Sequence, residues 1–305
     1  MSDDDISFNK DFPLKPGVVE EVVPGLRRIL CNNPSPFTFT GTLAYIVGKG
    51  KVALIDPGPD DPAHAQAILD AVRGETVTHI FVTHTHTDHS PNTPRIKAAT
   101  GAEVYADGNP LISRFVVDGE KRSSEAGGDT TFVADVKLAD GQVIEGDGWS
   151  LEAVATPGHA SNHMAFAWRE KNILFAGDHV MGWSTSVVSP PDGSMLDYMS
   201  SLEKLLKREE DFYFCGHGPE VPDARRYVRF LQRHRKARED SILHRLAKGP
   251  CDIPTIVRAS YIGIDPRLVP AAGRSVFAHL EDLVARKVVA TDGEPSIDGT
   301  YRLIG

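Results

Sequence analysis

The stretch Phe81-Val82-Thr83-His84-Thr85-His86-Thr87-Asp88-His89-Ser90 carries an apolar strand straight into three histidines and a carboxylate. Imidazole nitrogens and carboxylate oxygens are the donors that suit zinc and neighbouring divalent ions. Alternate residues of an extended chain point the same way, so His84 and His86 are placed to grip one ion together. Asp88 and His89 follow the point where the chain must turn toward the next helix, which suits them to a second ion nearby. The competing reading is a polar loop that happens to be rich in histidine. Four donor residues within six positions, at the end of a buried strand, weigh against it.

Three later loops have the same form. Ala155-Thr156-Pro157-Gly158-His159, Leu174-Phe175-Ala176-Gly177-Asp178-His179 and Phe212-Tyr213-Phe214-Cys215-Gly216-His217-Gly218-Pro219 each follow an apolar run with a glycine turn beside a donor. Glycine there lets backbone pack close to a site. Taken singly, each loop is ordinary turn chemistry. Together with the first cluster they supply five histidines and two aspartates, the complement of two metal ions with an open, water-bearing position.

Around these loops the composition is that of a soluble globular chain: 305 residues, 41% hydrophobic and 25% charged, enough for one large domain and a small one. The net charge of −9 offers no overall basic surface to nucleic acid or an anionic membrane. Met1-Ser2-Asp3-Asp4-Asp5 is acidic where a targeting peptide is basic, and no apolar run is long enough to span a bilayer. Three scattered cysteines, Cys31, Cys215 and Cys251, make no disulfide framework. A cytoplasmic protein without a membrane partner, and with no obligate protein partner in evidence, is the expectation. Runs at 39–47, 51–55, 77–82, 149–155, 163–168 and 172–175 read as buried strands. Fewer helices are interleaved, one opened by Asp61-Pro62 and running to about Val72, another from Ser90-Pro91 toward Ala99 and closed by Gly101. Strands in that excess predict two sheets within a mixed α/β domain. Residues 118–129 have no periodicity and read as a mobile loop.

From Asp223 the balance changes. Residues 223–305 hold fifteen Lys/Arg against ten Asp/Glu, a net +5, which leaves −14 before them. A catalytic domain over 1–222 and a second module over 223–305 are expected. The long Arg-rich pattern at 224–246, two further helical patterns at 253–261 and 269–286, and a hairpin-like end at 288–303 suggest a winged helix.

With the His-x-His-x-Asp-His run at 84–89, Thr156-Pro157-Gly158-His159, Ala176-Gly177-Asp178 and Gly216-His217-Gly218, the sequence resembles the metallo-beta-lactamase superfamily. The resemblance implies an αββα sandwich in which His84, His86 and His159 hold one metal, Asp88, His89 and His217 the second, and Asp178 bridges them. None of the seven positions departs from the pattern. His86, where Glu stands in the di-iron oxygen-reducing branch, argues against that branch. Asp197 to Leu205, the Gly216-His217-Gly218-Pro219 turn, His234-Arg235, Arg238-Glu239 and the tail around His279 resemble the beta-lactamase-like protein 2 branch over nearly the whole chain. That likeness implies a metal-dependent endoribonuclease acting on single-stranded RNA.

Two divalent ions held together acidify a shared water, since one Zn2+ already brings bound water from about 15.7 to about 7. The resulting hydroxide is the expected nucleophile, with Asp88 and Asp178 orienting it. Zinc comes first, and iron and manganese accept the same donors. Asp56, at the end of its strand in Asp56-Pro57-Gly58, is either a hydrogen-bond acceptor for a ligand histidine or turn chemistry. His163 and His179 lie close to donor positions but alternate to the other side, as support or core. Tyr198 is spaced with Leu202 and Leu205 as one helix face, which suits core packing as well as substrate contact. Cys215 reads as a buried spectator, and the arginines at 225–238 as either a phosphate-binding face or a solvated one. A glyoxalase II-like thioester or ester hydrolase is the alternative function. From another class, a non-catalytic nucleic-acid-binding regulator would require that the native protein bind no metal.

Overall fold

The structure is a computed structural model that describes residues 7–108 and 127–304. The first sheet runs in chain order through β1 (Val19–Val23), β2 (Leu26–Leu30), β3 (Leu43–Val47), β4 (Lys51–Ile55), β5 (Thr76–Phe81), β6 (Glu103–Ala106) and β7 (Val136–Lys137). It is antiparallel to β4 and parallel beyond. The second sheet comprises β8 (Val143–Glu145), β9 (Ser150–Ala155), β10 (Met164–Trp168), β11 (Ile173–Gly177), β12 (Phe212–Cys215) and β13 (Val221–Pro222), in the order β13-β12-β11-β10-β9-β8.

Period-two alternation inside these apolar runs assigns each side chain to one of two cores. In β3, Leu43, Tyr45 and Val47 face the space between the sheets, while Ala44 and Ile46 face outward. In β10, Met164, Phe166 and Trp168 meet them from the other sheet, and Ala165 and Ala167 face away. The outer face of the first sheet is covered by α1 (Pro62–Ala71) and α2 (Thr93–Thr100) through Ala65, Ile68 and Ile96. The outer face of the second is covered by α3 (Met195–Leu205) and the front half of α4 (Ala224–Leu246) through Tyr198, Leu202, Val228 and Leu231. The result is the expected αββα sandwich.

The boundaries shift where turn chemistry intervenes. The first long run becomes a strand only at Leu43, because Phe39 at φ 55° and Gly41 at φ 140° form a turn. The second helix opens at Thr93 and not at Ser90-Pro91, since the Asn92 amide donates to the Gly58 carbonyl at 3.1 Å and its side chain to the carbonyls of Pro57 and Asp61. Asp61 caps α1 by accepting from the amides of Ala63 and His64, and Gly101 closes α2 in the left-handed region, both as read. Of the loop expected at 118–129, residues 118–126 lie outside the described residues.

The tail folds as α5 (Ile253–Ser260), α6 (Val269–Ala285) and a three-stranded wing of β14 (Cys251–Asp252), β15 (Val289–Thr291) and β16 (Thr300–Leu303), in the order β14-β16-β15. Ile256, Val276, Phe277, Leu280 and Tyr301 form its own core, together with Ile242 and Leu246 from the end of α4. One helix, α4, thus enters two cores. No helix among the described residues is long and apolar enough to cross a membrane.

Candidate metal centre

Four strand ends deliver the donors to one edge of the sandwich. After β5, Asp56 accepts from the Thr83 amide and hydroxyl at 2.7 Å each and so fixes the approach to His84. His84 Nε2 then lies 3.0 Å from His86 Nδ1, and His159 Nε2, brought in after β9, lies 3.0 Å from the same His86 nitrogen. Beside this triad, His217 Nε2 from the end of β12 lies 3.2 Å from Asp88 Oδ2. Asp178, after β11, stands between the groups: Oδ2 is 3.1 Å from His217 Nε2 and 3.7 Å from His159 Nε2, and Oδ1 is 3.5 Å from His89 Nε2. All seven residues singled out in the sequence therefore converge. The triads His84-His86-His159 and Asp88-His89-His217 each hold their donor atoms within 4.8 Å of one another, as does His84-His89-Asp178.

The donors are tuned from behind. His89 Nδ1 faces Asp56 Oδ2 at 2.9 Å, His159 Nδ1 faces the Val187 carbonyl at 2.6 Å, and His217 Nδ1 faces the Gly41 carbonyl at 3.1 Å. His84 Nδ1 lies 3.0 Å from Thr83 Oγ1, whose own proton goes to Asp56. These partners can only accept, so the outer nitrogens carry the protons and the lone pairs of the inner nitrogens point into the centre. His86 Nε2 has a looser partner, Asp192 Oδ2 at 3.7 Å.

Whether cations fit this cradle is answered by what is left unpaired. Asp88 Oδ1, His89 Nε2 and Asp178 Oδ1 are buried without hydrogen-bond partners among the described residues, an arrangement that costs several kcal/mol unless something positive meets them. Burial opposes charge on His217, yet Asp178 and Asp88 outweigh it and raise the ring to about 9. Burial likewise opposes ionisation of Asp178, which His217 and His89 nonetheless hold well below the ordinary carboxylate range. Burial and then the imidazole of His86 push His159 down to about 4. The bare donor set thus borrows protons to neutralise its aspartates, the part that divalent cations fill. Space is matched as closely: a Cβ on Gly216 would stand 2.2 Å from Asp178 Oδ1 and 2.8 Å from His89 Cε1.

The supporting residues fall out as follows. Asp56 is buried beneath His89 and Thr83, the acceptor position that the sequence left open. His163 stands under the site, with Nδ1 2.8 Å from Thr156 Oγ1 and Nε2 accepting from the Asp178 amide at 3.2 Å. Tyr198 is fully buried and donates to the His179 carbonyl at 3.1 Å, so its phenol faces away from the cavity. Cys215 is core, its thiol pushed up to about 12 by burial. Along α4, Arg235 is buried and Arg238 donates to the Ser260 carbonyl and covers the Tyr261 ring, whereas Arg225, Arg229, Arg233 and Lys236 are exposed. Asp192 escaped the sequence reading. In Pro190-Pro191-Asp192-Gly193 it reads as a turn, and only the fold brings it to the rim beside Phe37, Met181, Val187 and Ser189.

Comparison with known proteins decides the family. The model of the metallo-beta-lactamase superfamily matches residues 37–217, more than half of the chain. The chain belongs to the metallo-beta-lactamase superfamily. A second model, the beta-lactamase associated winged helix domain, matches residues 253–298. This superfamily member is 30% identical over 275 residues to the beta-lactamase-like protein 2 homolog of Drosophila melanogaster, covering 87% of this chain and 89% of that one. It is 27% identical over 233 residues to the atrochrysone carboxyl ACP thioesterase of Claviceps purpurea, covering 75% and 68%. The structure of a beta-lactamase domain protein from Burkholderia ambifaria superposes with a TM-score of 0.77 at 20% identity, over 96% of this chain and 97% of that one, and so shares the fold. The chain is a hydrolase-family member whose His/Asp cluster is built to hold divalent metal.

Proposed function

We propose that this protein hydrolyses an acyl thioester at a two-metal centre, zinc first among the candidate metals, with His84, His86 and His159 as ligands of one ion, Asp88, His89 and His217 of the other, and Asp178 between them. The observation that carries the substrate class is the wall of the cavity. Among the described residues it presents His86, Asp88, His159, Asp178 and His217 of the donor set together with Phe37, Met181, Val187, Ser189 and Asp192, and neither lysine nor arginine. Such a wall accepts an apolar acyl chain and gives a phosphodiester no side-chain cation to pair with beyond the ions themselves.

The ions, when bound, supply a Lewis acid and a water acidified to near neutral pH. The chain does the rest. Asp88 and Asp178 accept from the attacking water and fix its line of approach, and the acceptors behind the rings keep the site from rearranging as charge develops. Phe37, Met181 and Val187 hold the acyl part and exclude water. Asp192 is ionised: burial opposes this, but the neighbouring His86 imidazole and the hydrogen bonds from the Ser161 amide and hydroxyl hold it below its ordinary value. It is therefore no proton donor, and a thiolate, whose conjugate acid has a pKa of about 8.5, leaves without one.

Single-stranded RNA, placed first by the resemblance, is the second reading. It is favoured by the winged helix and by the exposed Arg225, Arg229, Arg233 and Lys236 of α4. The zinc-loaded full chain assayed side by side on S-acyl glutathione and on single-stranded RNA separates the two. Thioester cleavage abolished by chelator is expected; chelator-sensitive RNA cleavage with no thioester turnover would overturn the proposal.

A further inference from the structure

The loop after β11 carries more of the site than its bridging aspartate. It begins with Asp178, supplies Met181 and Val187 to the cavity wall, and offers the Val187 carbonyl that fixes the tautomer of His159. It contains no helix or strand before α3, so it borrows its shape from contacts with its neighbours. Within the loop, Ser186 Oγ donates to the Asp178 carbonyl at 2.5 Å. From outside, Tyr198 of α3 donates to the His179 carbonyl, and Tyr227 of α4 donates to the Met181 carbonyl at 2.7 Å. The Asn9 amide donates to the Gly182 carbonyl and Ser161 to Asp192, and a further tether is Arg235 of α4, which donates through a terminal guanidinium nitrogen to the Ser186 carbonyl.

Arg235 is an unexpected residue to find there. It is 3% exposed, on the helix face that otherwise presents Tyr227, Val228 and Leu231 to the core. Burying a guanidinium is unfavourable unless its donors and its charge are met. Here a carbonyl takes one donor, and the Tyr198 ring lies 4.9 Å from the guanidinium carbon, its face meeting the charge. Only a planar, forked cation makes both contacts at once; a lysine ammonium on the same stem makes one. The same helix ends in the core of the winged module through Ile242 and Leu246.

We propose that Arg235 is a positioning residue for the metal centre. Through Ser186 it holds the loop that carries Asp178 and orients His159, so metal occupancy depends on the helix that joins the two modules. The inference rests on the metal-centre reading and not on the choice of substrate.

The test uses the full chain, stripped of metal and titrated with Zn2+ against a chromophoric chelator, then with Co2+ for its absorption spectrum. Arg235→Lys, Arg235→Met and Ser186→Ala are compared with the parent. The expected result is a weaker-binding zinc site roughly 10- to 100-fold poorer in Arg235→Met and shifted in the same direction in Ser186→Ala, with an altered cobalt spectrum in both. Arg235→Lys lies between Arg235→Met and the parent. A merely structural role would lower the melting temperature of the metal-free protein and leave the affinities and the spectrum unchanged; that outcome overturns the proposal. If Arg235→Met does not fold, Ser186→Ala decides, and parental affinity there overturns it equally. Parental protein that binds no metal would defeat the metal-centre reading itself, a result distinguishable from any difference among variants.

Discussion

Replacing Asp56 by asparagine separates the shape of the site from its proton placement. Asp56 is 2% exposed and sits at φ 52°, in the left-handed region that asparagine tolerates, so the backbone survives the change. Oδ1 accepts from the Thr83 amide, and the asparagine oxygen takes over that bond. Oδ2 accepts from both Thr83 Oγ1 and His89 Nδ1. An amide NH2 in that place meets donors with a donor. The Thr83 hydroxyl turns and accepts, but His89 must move its proton to Nε2, the nitrogen that faces Asp88 and Asp178. One ligand lone pair is then lost. Loss of an outer hydrogen-bond partner typically lowers metal affinity 10- to 100-fold, about 1.4 to 2.7 kcal/mol, and the same fall is expected here for the site that contains His89. Asp56→Ala strands three buried donors as well, at about 1–3 kcal/mol each before relaxation, for an expected loss of about 3–5 kcal/mol of stability. The assays are urea unfolding of the metal-free chain and zinc titration by chelator competition. Asp56→Asn should unfold within about 2 kcal/mol of the parent yet bind zinc at the site that contains His89 about 10- to 100-fold less well. Parental affinity for both ions in Asp56→Asn would refute the tautomer argument.

Other expectations follow from the same geometry. Gly216→Ala drives a methyl into Asp178 Oδ1 and His89, so it should lose zinc binding by chelator competition while the metal-free chain still melts cooperatively. Burial lowers His64 to about 4 against Asp61, which raises it, whereas the unfolded ring titrates near 6.5. The folded state therefore holds its full advantage above pH 6.5 and loses about 1.4 kcal/mol per pH unit, about 3 in all, as pH falls to 4; urea melts of His64→Leu should show a shallower slope in that window. Phe37→Ala together with Met181→Ala should raise the KM for a long-chain thioester more than for an acetyl thioester, measured by thiol release. Thioester turnover should vary little between 50 and 200 mM salt, whereas RNA binding by an array of phosphate contacts would weaken by orders of magnitude over that range.

The donor set was legible because each donor ends an apolar run, and a run short enough to be a strand leaves little freedom about where its end must lie. The two sheets were legible for the same reason. Their facings were not, because a strand buried on both sides, such as Leu43-Ala44-Tyr45-Ile46-Val47, is apolar at every position and the sequence carries no polar alternate to mark a face. The acceptors behind the rings were invisible where they are carbonyls, as with Gly41 and Val187, since every residue has one. Arg235 left a trace that passed for part of a basic stretch. Tyr227, Leu231 and Arg235 are spaced by four, so a charge stands on the apolar stripe of the helix, and that break in pattern marks a buried arginine more surely than the local density of arginines marks a phosphate site.

Charge offers a further step toward the substrate. Asp56, Asp88, Asp178 and Asp192 stand in or against the donor set, with the five ligand imidazoles neutral once their inner lone pairs bind metal. Two divalent ions then offset these four carboxylates before any hydroxide is counted, and the described wall adds no lysine or arginine. Beyond the ions themselves, a wall of phenyl, thioether and isopropyl groups gives a phosphate no compensation for desolvating its charge, whereas it gains apolar burial from an acyl chain at about 25 cal/mol for each Å² removed from water. Among the described residues, side-chain recognition of a nucleic acid would therefore have to come from the exposed face of α4 and the winged module. The lack of lysine and arginine in the wall among the described residues is what ranks the proposed acyl substrate ahead of RNA, even though residues 223–305 carry the net positive charge.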